Sequence, residues 1–158
     1  MQPMTSEIAR TPDPTMRSKL MRLQEAMLAD KDSQVELHTE HHFAHRIYAR
    51  EMKVPAGVVV VGKIHKHKTL NILLSGDMSV LTETGLKRIK PGEVVEAFPG
   101  IKRAGYAHTD SRWLTIHGTD NTDLVAIEAE CVAQSYEEYD EFAQLEAVQE
   151  VRPCLGES

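Results

Sequence analysis

Gly62-Lys63-Ile64-His65-Lys66-His67-Lys68-Thr69-Leu70-Asn71-Ile72-Leu73-Leu74-Ser75-Gly76 is the stretch on which the fold turns. Its second half is dense in Ile, Leu and Thr and stops at Ser75-Gly76-Asp77, the texture of a short strand closed by a turn. Its first half sets His65 and His67 two residues apart. Side chains alternate along an extended chain, so this spacing predicts both imidazoles on one face. Two imidazoles on one face of a strand are a common start to a metal site.

The same texture runs outward from Val35 to Gly118. Apolar segments of a few residues alternate with turn signals at Pro55-Ala56-Gly57, Thr84-Gly85, Pro91-Gly92, Pro99-Gly100 and Thr109-Asp110-Ser111. Many short strands at this spacing predict a β-sandwich or barrel, over about residues 40–118. No long helical pattern interrupts them, which excludes a parallel βαβ sheet. Helical periodicity appears only at the flanks. Met16, Leu20, Leu23 and Met27 share one face, predicting a helix over 16–29. Leu124, Ile127 and Cys131 share another, predicting a helix over 122–133. Ser135-Tyr136-Glu137-Glu138 has the form of a capping box and predicts a third helix over 136–148.

A chain of 158 residues holds one domain with a real core. The formal net charge is −6, unevenly spread: 16 basic against 12 acidic residues up to Arg103, and 2 against 12 beyond it. The basic residues are scattered among acids and aromatics are only 5%, so neither a phosphate-tracking groove nor a base-stacking surface is expected, and nucleic acid is excluded as a partner. The acidic run from Glu128 to Glu150 reads as a solvated helix face or as a dock for a basic neighbour. No apolar run is long enough to span a membrane. Residues 1–15 are polar, carry three prolines and lack the apolar core of a signal peptide, so a cytoplasmic protein with reduced Cys131 and Cys154 is expected. No nucleophile elbow, phosphate loop or dinucleotide-binding glycine pattern occurs.

The His65-Lys66-His67 segment with Gly76 resembles the first cupin motif, in which H-x-H precedes a glutamate and then a glycine turn. Pro91-Gly92-Glu93-Val94-Val95-Glu96-Ala97-Phe98-Pro99-Gly100-Ile101-Lys102-Arg103 resembles the second. The resemblance implies an all-β fold: a cupin-type jelly-roll (double-stranded β-helix) barrel of six to eight strands with a central pocket, flanked by N-terminal and C-terminal helices. The divisions that follow are a polar arm over 1–15, an N-terminal helix over 16–34, the barrel over 35–120, C-terminal helices over 121–150 and a tail over 151–158.

The chain departs from that pattern at the ligand positions. The glutamate position falls on Asn71 counted from His67, or on Thr69 counted from Gly76, and the second-motif histidine position falls on Arg103. A permanently charged guanidinium there would repel a divalent cation and attract an anion. Arg103, His65, His67 and Asn71 are therefore the candidate ligand-binding residues, for a carboxylate or phosphate oxygen; pairing of Arg103 with Glu96 is the structural alternative. No cofactor is expected. A divalent transition metal is the other possible occupant, with His65, His67 and His117 as ligands and His108 as a further candidate. Strand parity leaves open whether Trp113, Thr115 and His117 or Leu114 and Ile116 face the barrel. The cluster His38, His41, His42 and His45 has no recognised metal spacing and is expected to be exposed.

A narrower resemblance lies in the order of short segments: His42-Phe43-Ala44, Ile47-Tyr48-Ala49-Arg50-Glu51, Val61-Gly62-Lys63-Ile64-His65-Lys66, Leu70-Asn71-Ile72-Leu73, Gly100-Ile101-Lys102-Arg103, Trp113-Leu114-Thr115-Ile116-His117 and Asn121-Thr122-Asp123-Leu124. Over residues 20–142 this looks like small cupin-like proteins of tailed bacteriophages and prophages. That resemblance implies a non-catalytic module acting as a homo-oligomeric binding protein or virion-associated structural protein. It places the chain in a bacterial host cytoplasm or a virion, with other phage structural proteins and a small anionic ligand as further partners. The alternative is a small metal-dependent cupin enzyme, an isomerase, epimerase or dioxygenase acting on an anionic metabolite or sugar. Self-association as a dimer or trimer is expected through the arm or the first helix, crossing to a neighbour.

Overall fold

Burial alternates residue by residue along Ser111–Gly118: Ser111, Trp113, Thr115 and His117 are buried, and the residues between them less so. The parity left open by the sequence is thereby settled, because the face carrying Trp113, Thr115 and His117 is the inner one. The computed structural model describes residues 14–82 and 85–150. Most of the polar arm, the 151–158 tail and Cys154 lie outside the described residues.

Eleven strands and three helices make up the described fold, with a short 3-10 turn at Lys31–Ser33. Strands β1 (His38–Ala44), β2 (Ile47–Val54), β5 (Thr69–Ser75), β8 (Val94–Ala97) and β10 (Ser111–Gly118) form one sheet in the order β1-β2-β10-β5-β8. Strands β3 (Val59–Val61), β6 (Met78–Thr82), β7 (Gly85–Ile89) and β9 (Ala104–Ala107) form the second, in the order β3-β9-β6-β7. Every pairing is antiparallel. The inner faces meet in a core of Val54, Leu73, Met78, Val80, Ile89, Ala107 and Trp113. The two sheets hold nine strands, more than the six to eight expected. The excess is at the edge, where the histidine-rich segment 38–44 is a full strand registered against β2 from His38↔Lys53 to Ala44↔Ile47.

The helices gather beside a third, two-stranded sheet. Helix α2 (Leu124–Cys131) starts at Asp123, whose carboxylate accepts from the Ala126 N–H at 2.9 Å. It stops at Cys131, short of the 133 expected from periodicity. Val132–Ala133 (β11) instead pairs with Ile64–His65 (β4), and backbone hydrogen bonding to a sheet overrides two more residues of helix. Helix α3 (Tyr136–Glu150) is capped by Ser135, whose hydroxyl accepts from the Glu138 N–H; the Glu138 carboxylate reaches back to the Gln134 N–H, one residue beyond the position a capping box uses. Gly100 takes φ +79°, and an added Cβ would lie 2.3 Å from the Tyr139 ring, so only glycine lets α3 approach this loop.

Helix α1 (Pro14–Ala29) lies on its own chain. Leu20 is only 3% exposed, Met21 packs on Ile64, Ala133 and Tyr136, and Arg17 forms a two-toothed ion pair with Asp140 at 2.9 and 3.0 Å. The apolar face expected to reach a neighbouring copy is thus partly used at home, leaving Leu23 exposed. The acidic run is likewise partly neutralised within the chain, by Lys63 on Glu128, Lys66 on Glu138 and Arg17 on Asp140.

Candidate functional site

Three strands set the floor of the barrel cavity. β10 pairs with β2 and with β5 so that Thr115 stands opposite Arg50 on one side and Asn71 on the other. The buried Asn71 carboxamide is saturated. Its oxygen accepts from Thr115 Oγ1 at 2.8 Å and Trp113 Nε1 at 3.3 Å, and its nitrogen donates to Thr69 Oγ1 and the Val95 carbonyl, both at 3.3 Å. A carboxylate at this position could not donate those last two bonds. Asn71 thus ties three neighbouring strands together beneath the cavity.

Above that floor is a cavity of about 270 Å³. Its apolar wall includes Met52, Met78, Val80 and Trp113, and its polar wall holds Arg50, Lys63, His65, Arg103 and His117. Among the described residues, no carboxylate lines it. A second cavity of about 270 Å³ lies towards α2 and is lined by His41, Tyr48, Glu128 and Cys131 among others. Arg50, Lys63, His65 and His117 line both cavities and form the wall between them.

His65 and His117 meet edge to face, with ring centroids 5.1 Å apart. Burial pulls the His65 pKa down to about 4, with His117, Arg50, Lys63 and Arg103 pushing the same way. Burial likewise pulls His117 down to about 4, with Arg50 and His67 adding to it. Both rings are therefore neutral at pH 7. Behind His117 stands Tyr48, stacked at 5.6 Å, and the Tyr48 hydroxyl is 2.7 Å from Nδ1 of His41.

Of the candidate residues, His65, Asn71, Arg103 and His117 come together at the cavity, and His67 does not. The expectation that His65 and His67 share a face fails because β4 ends at His65; the chain bends at Lys66 and His67, and alternation has no force beyond a strand's end. His67 is exposed and packs edge-on against Phe142 of α3, at 5.5 Å. His108 is turned away too, bonding Ser79 Oγ at 2.7 Å. Arg103 donates to the Glu96 carbonyl at 3.0 Å, whereas the Glu96 carboxylate goes to Lys68; the expected Arg103–Glu96 contact is made to backbone. Arg50 and Lys63 were not singled out by the sequence, although one signal was present. Tyr48, Arg50, Met52 and Val54 share the inward parity of β2, and a charged residue in such a row is a site candidate.

The donor set in the barrel does not fit a metal of the cupin kind. Among the described residues that line it, two neutral imidazoles stand with three cationic side chains and the Asn71 amide. Among the described residues, the one cluster of three potential ligand groups is Glu40, His42 and Glu51, whose donor atoms lie within 4.8 Å of one another. It sits on the outer face of the sheet. Arg112 binds both oxygens of Glu51 at 3.1 Å and Lys53 binds Glu40 at 3.0 Å, so cations of the chain already answer its charge. His38, His41, His42 and His45 are all exposed, as expected, and strand alternation parts His42 on this face from His41 beside the second cavity.

The barrel resembles solved structures of the cupin superfamily. The structure of KdgF from Halomonas sp. matches with a TM-score of 0.50 and 18% identity, over 60% of this chain and 90% of that one. A cupin superfamily protein from Desulfitobacterium hafniense matches with a TM-score of 0.48 and 15% identity, over 55% and 81%. An RmlC-like cupin from Shewanella frigidimarina matches with a TM-score of 0.47 and 16% identity, over 57% and 88%. No family model and no curated protein sequence matches. The fold is therefore a cupin-type jelly roll with helical flanks. Among the described residues, no helix is long and apolar enough to cross a membrane.

Proposed function

We propose that this protein is a cupin-fold binding module for a small organic anion, working without turnover of its own and as a homo-oligomer. One observation carries the reading: a cavity of about 270 Å³ lined by Arg50, Lys63 and Arg103, with two neutral imidazoles, an apolar wall and, among the described residues, no carboxylate. A guanidinium attracts carboxylate and repels divalent cations, and the apolar wall accommodates an organic body. The phage or prophage setting, including a virion-associated role with other phage proteins, rests on the sequence resemblance alone. The test is to release small molecules from the purified protein by denaturation and identify them by negative-mode mass spectrometry. Thermal-shift measurements then pair each organic anion with its neutral analogue. Anions that raise the melting temperature while their neutral analogues do not support the reading; equal responses reject it.

The second reading is a metal-dependent enzyme. It is favoured only by the adjacency of two neutral imidazoles, His65 and His117. Stoichiometric zinc, iron, manganese or nickel in the dialysed protein, lost from His117→Ala, would replace the first reading with this one.

A further inference from the structure

Arg50 differs from the other cations of the cavity. Lys63 is held by Glu128 at 2.6 Å, and Arg103 donates to the Glu96 carbonyl. Arg50 is half-buried in the middle of β2 and makes no hydrogen bond or ion pair among the described residues. Its guanidinium opens onto both cavities, feels the Glu128 carboxylate only at a distance from the second one, and carries five donors that a ligand can take. The backbone of β2, registered against both β1 and β10, fixes where it stands. It lies in the wall between the two cavities, beside His65 and His117.

We propose that this wall, with Arg50 as its anchor, is the site that takes the acid group of a small organic carboxylate, while the apolar wall of the barrel takes the ligand's body. The inference rests on the reading of the barrel as an anion compartment and adds where the charge sits. The carboxylate lies on the barrel side of Arg50, because the second cavity contains the Glu128 carboxylate and would repel it. His65 and His117, being neutral, each keep one N–H to offer the ligand, so the acid group finds a charged fork and two neutral donors. Arg103 also lines the barrel cavity and is tied to the Glu96 carbonyl.

The experiment follows arginine side-chain N–H resonances by NMR during titration with acetate, hexanoate and octanoate. Hexanol and octanol serve as uncharged controls, and Arg50→Met assigns the Arg50 signal. The expected result is that hexanoate and octanoate shift the Arg50 Nε–H signal and the alcohols do not. Arg50→Met should weaken hexanoate binding about tenfold or more, the worth of a hydrogen bond to a charged group. Arg50→Lys should keep part of it, and Arg103→Met should weaken it less than Arg50→Met does. Circular dichroism of each variant separates lost binding from lost fold, and Arg50→Lys carries the comparison if Arg50→Met unfolds. Hexanoate binding that survives Arg50→Met and is lost in Arg103→Met overturns this inference and leaves the anion-binding reading standing. Carboxylates and alcohols binding alike, or no response at any arginine, overturns both.

Discussion

His65 and His117 reach the same point from different sheets: one ends the two-residue strand β4, the other lies next to the last residue of β10, and their rings meet edge to face at 5.1 Å. Neither position implies the other in sequence. Their contact places a neutral polar surface beside Arg50, with solvent largely removed.

The first expectation concerns pH. Both imidazoles titrate near 4 in the folded chain, below the ordinary histidine value near 6.5. Between those values the unfolded chain binds more protons, so stability rises with pH there. It is fully present above about 6.5 and is lost as pH falls towards 4. His65 alone accounts for on the order of 3 kcal/mol of that change. Urea unfolding at pH 7 and pH 4.5 should show a clear drop, reduced in His65→Asn. A midpoint independent of pH over this range would contradict the burial of both rings.

Asn71 gives a second. Asn71→Leu keeps approximate size but strands the Trp113 N–H and the Thr115 hydroxyl under the cavity. A loss of roughly 2–4 kcal/mol is expected from two buried unsatisfied groups, read as a lower urea midpoint. Unchanged stability would mean that Asn71 does not tie the strands.

At Gly100 the backbone lies in the left-handed region and the Tyr139 ring occupies the space of a Cβ. Gly100→Ala should loosen α3 from the barrel. Hydrogen exchange would show faster amide exchange in Tyr136–Glu150 with the barrel strands still protected. Equal exchange in both proteins would show that the ring moves aside.

Helix α1 offers a way to separate self-packing from association. Leu20 is buried on its own chain and Leu23 is 37% exposed. Leu20→Ala should cost about 2–3 kcal/mol in a urea melt. If copies associate through α1, Leu23→Asp should lower the sedimentation coefficient while leaving the melt nearly unchanged. A wild-type protein sedimenting as a monomer at micromolar concentration would remove α1 association altogether.

Much of the architecture was legible along the chain because it is locally encoded. Turn residues at Pro55-Ala56-Gly57, Ser75-Gly76 and Pro91-Gly92 separate apolar runs too short for helices, and the structure has strands on either side of each. Ser135 starts a helix because its hydroxyl answers an amide three residues away. The ends of elements were less legible. Helix α2 stops at Cys131 because Val132 and Ala133 find partners in Ile64 and His65, more than sixty residues earlier.

The sequence by itself determined the strand-and-turn rhythm and the helical flanks, and its resemblance to cupin motifs put Arg103, and Asn71 or Thr69, at positions where that resemblance implies ligands. It could place two histidines on one face only on the assumption that a strand continued through both. Tertiary structure decided which side chains meet. β4 ends at His65, so His67 turns out to Phe142, and the register of β2, β10 and β5 sets Arg50, Thr115 and Asn71 in one row. The physical reason is one of range. Turns, caps and alternation are fixed by neighbours within a few residues, whereas the register that turns Arg50 towards a cavity is a property of three strands far apart in the chain.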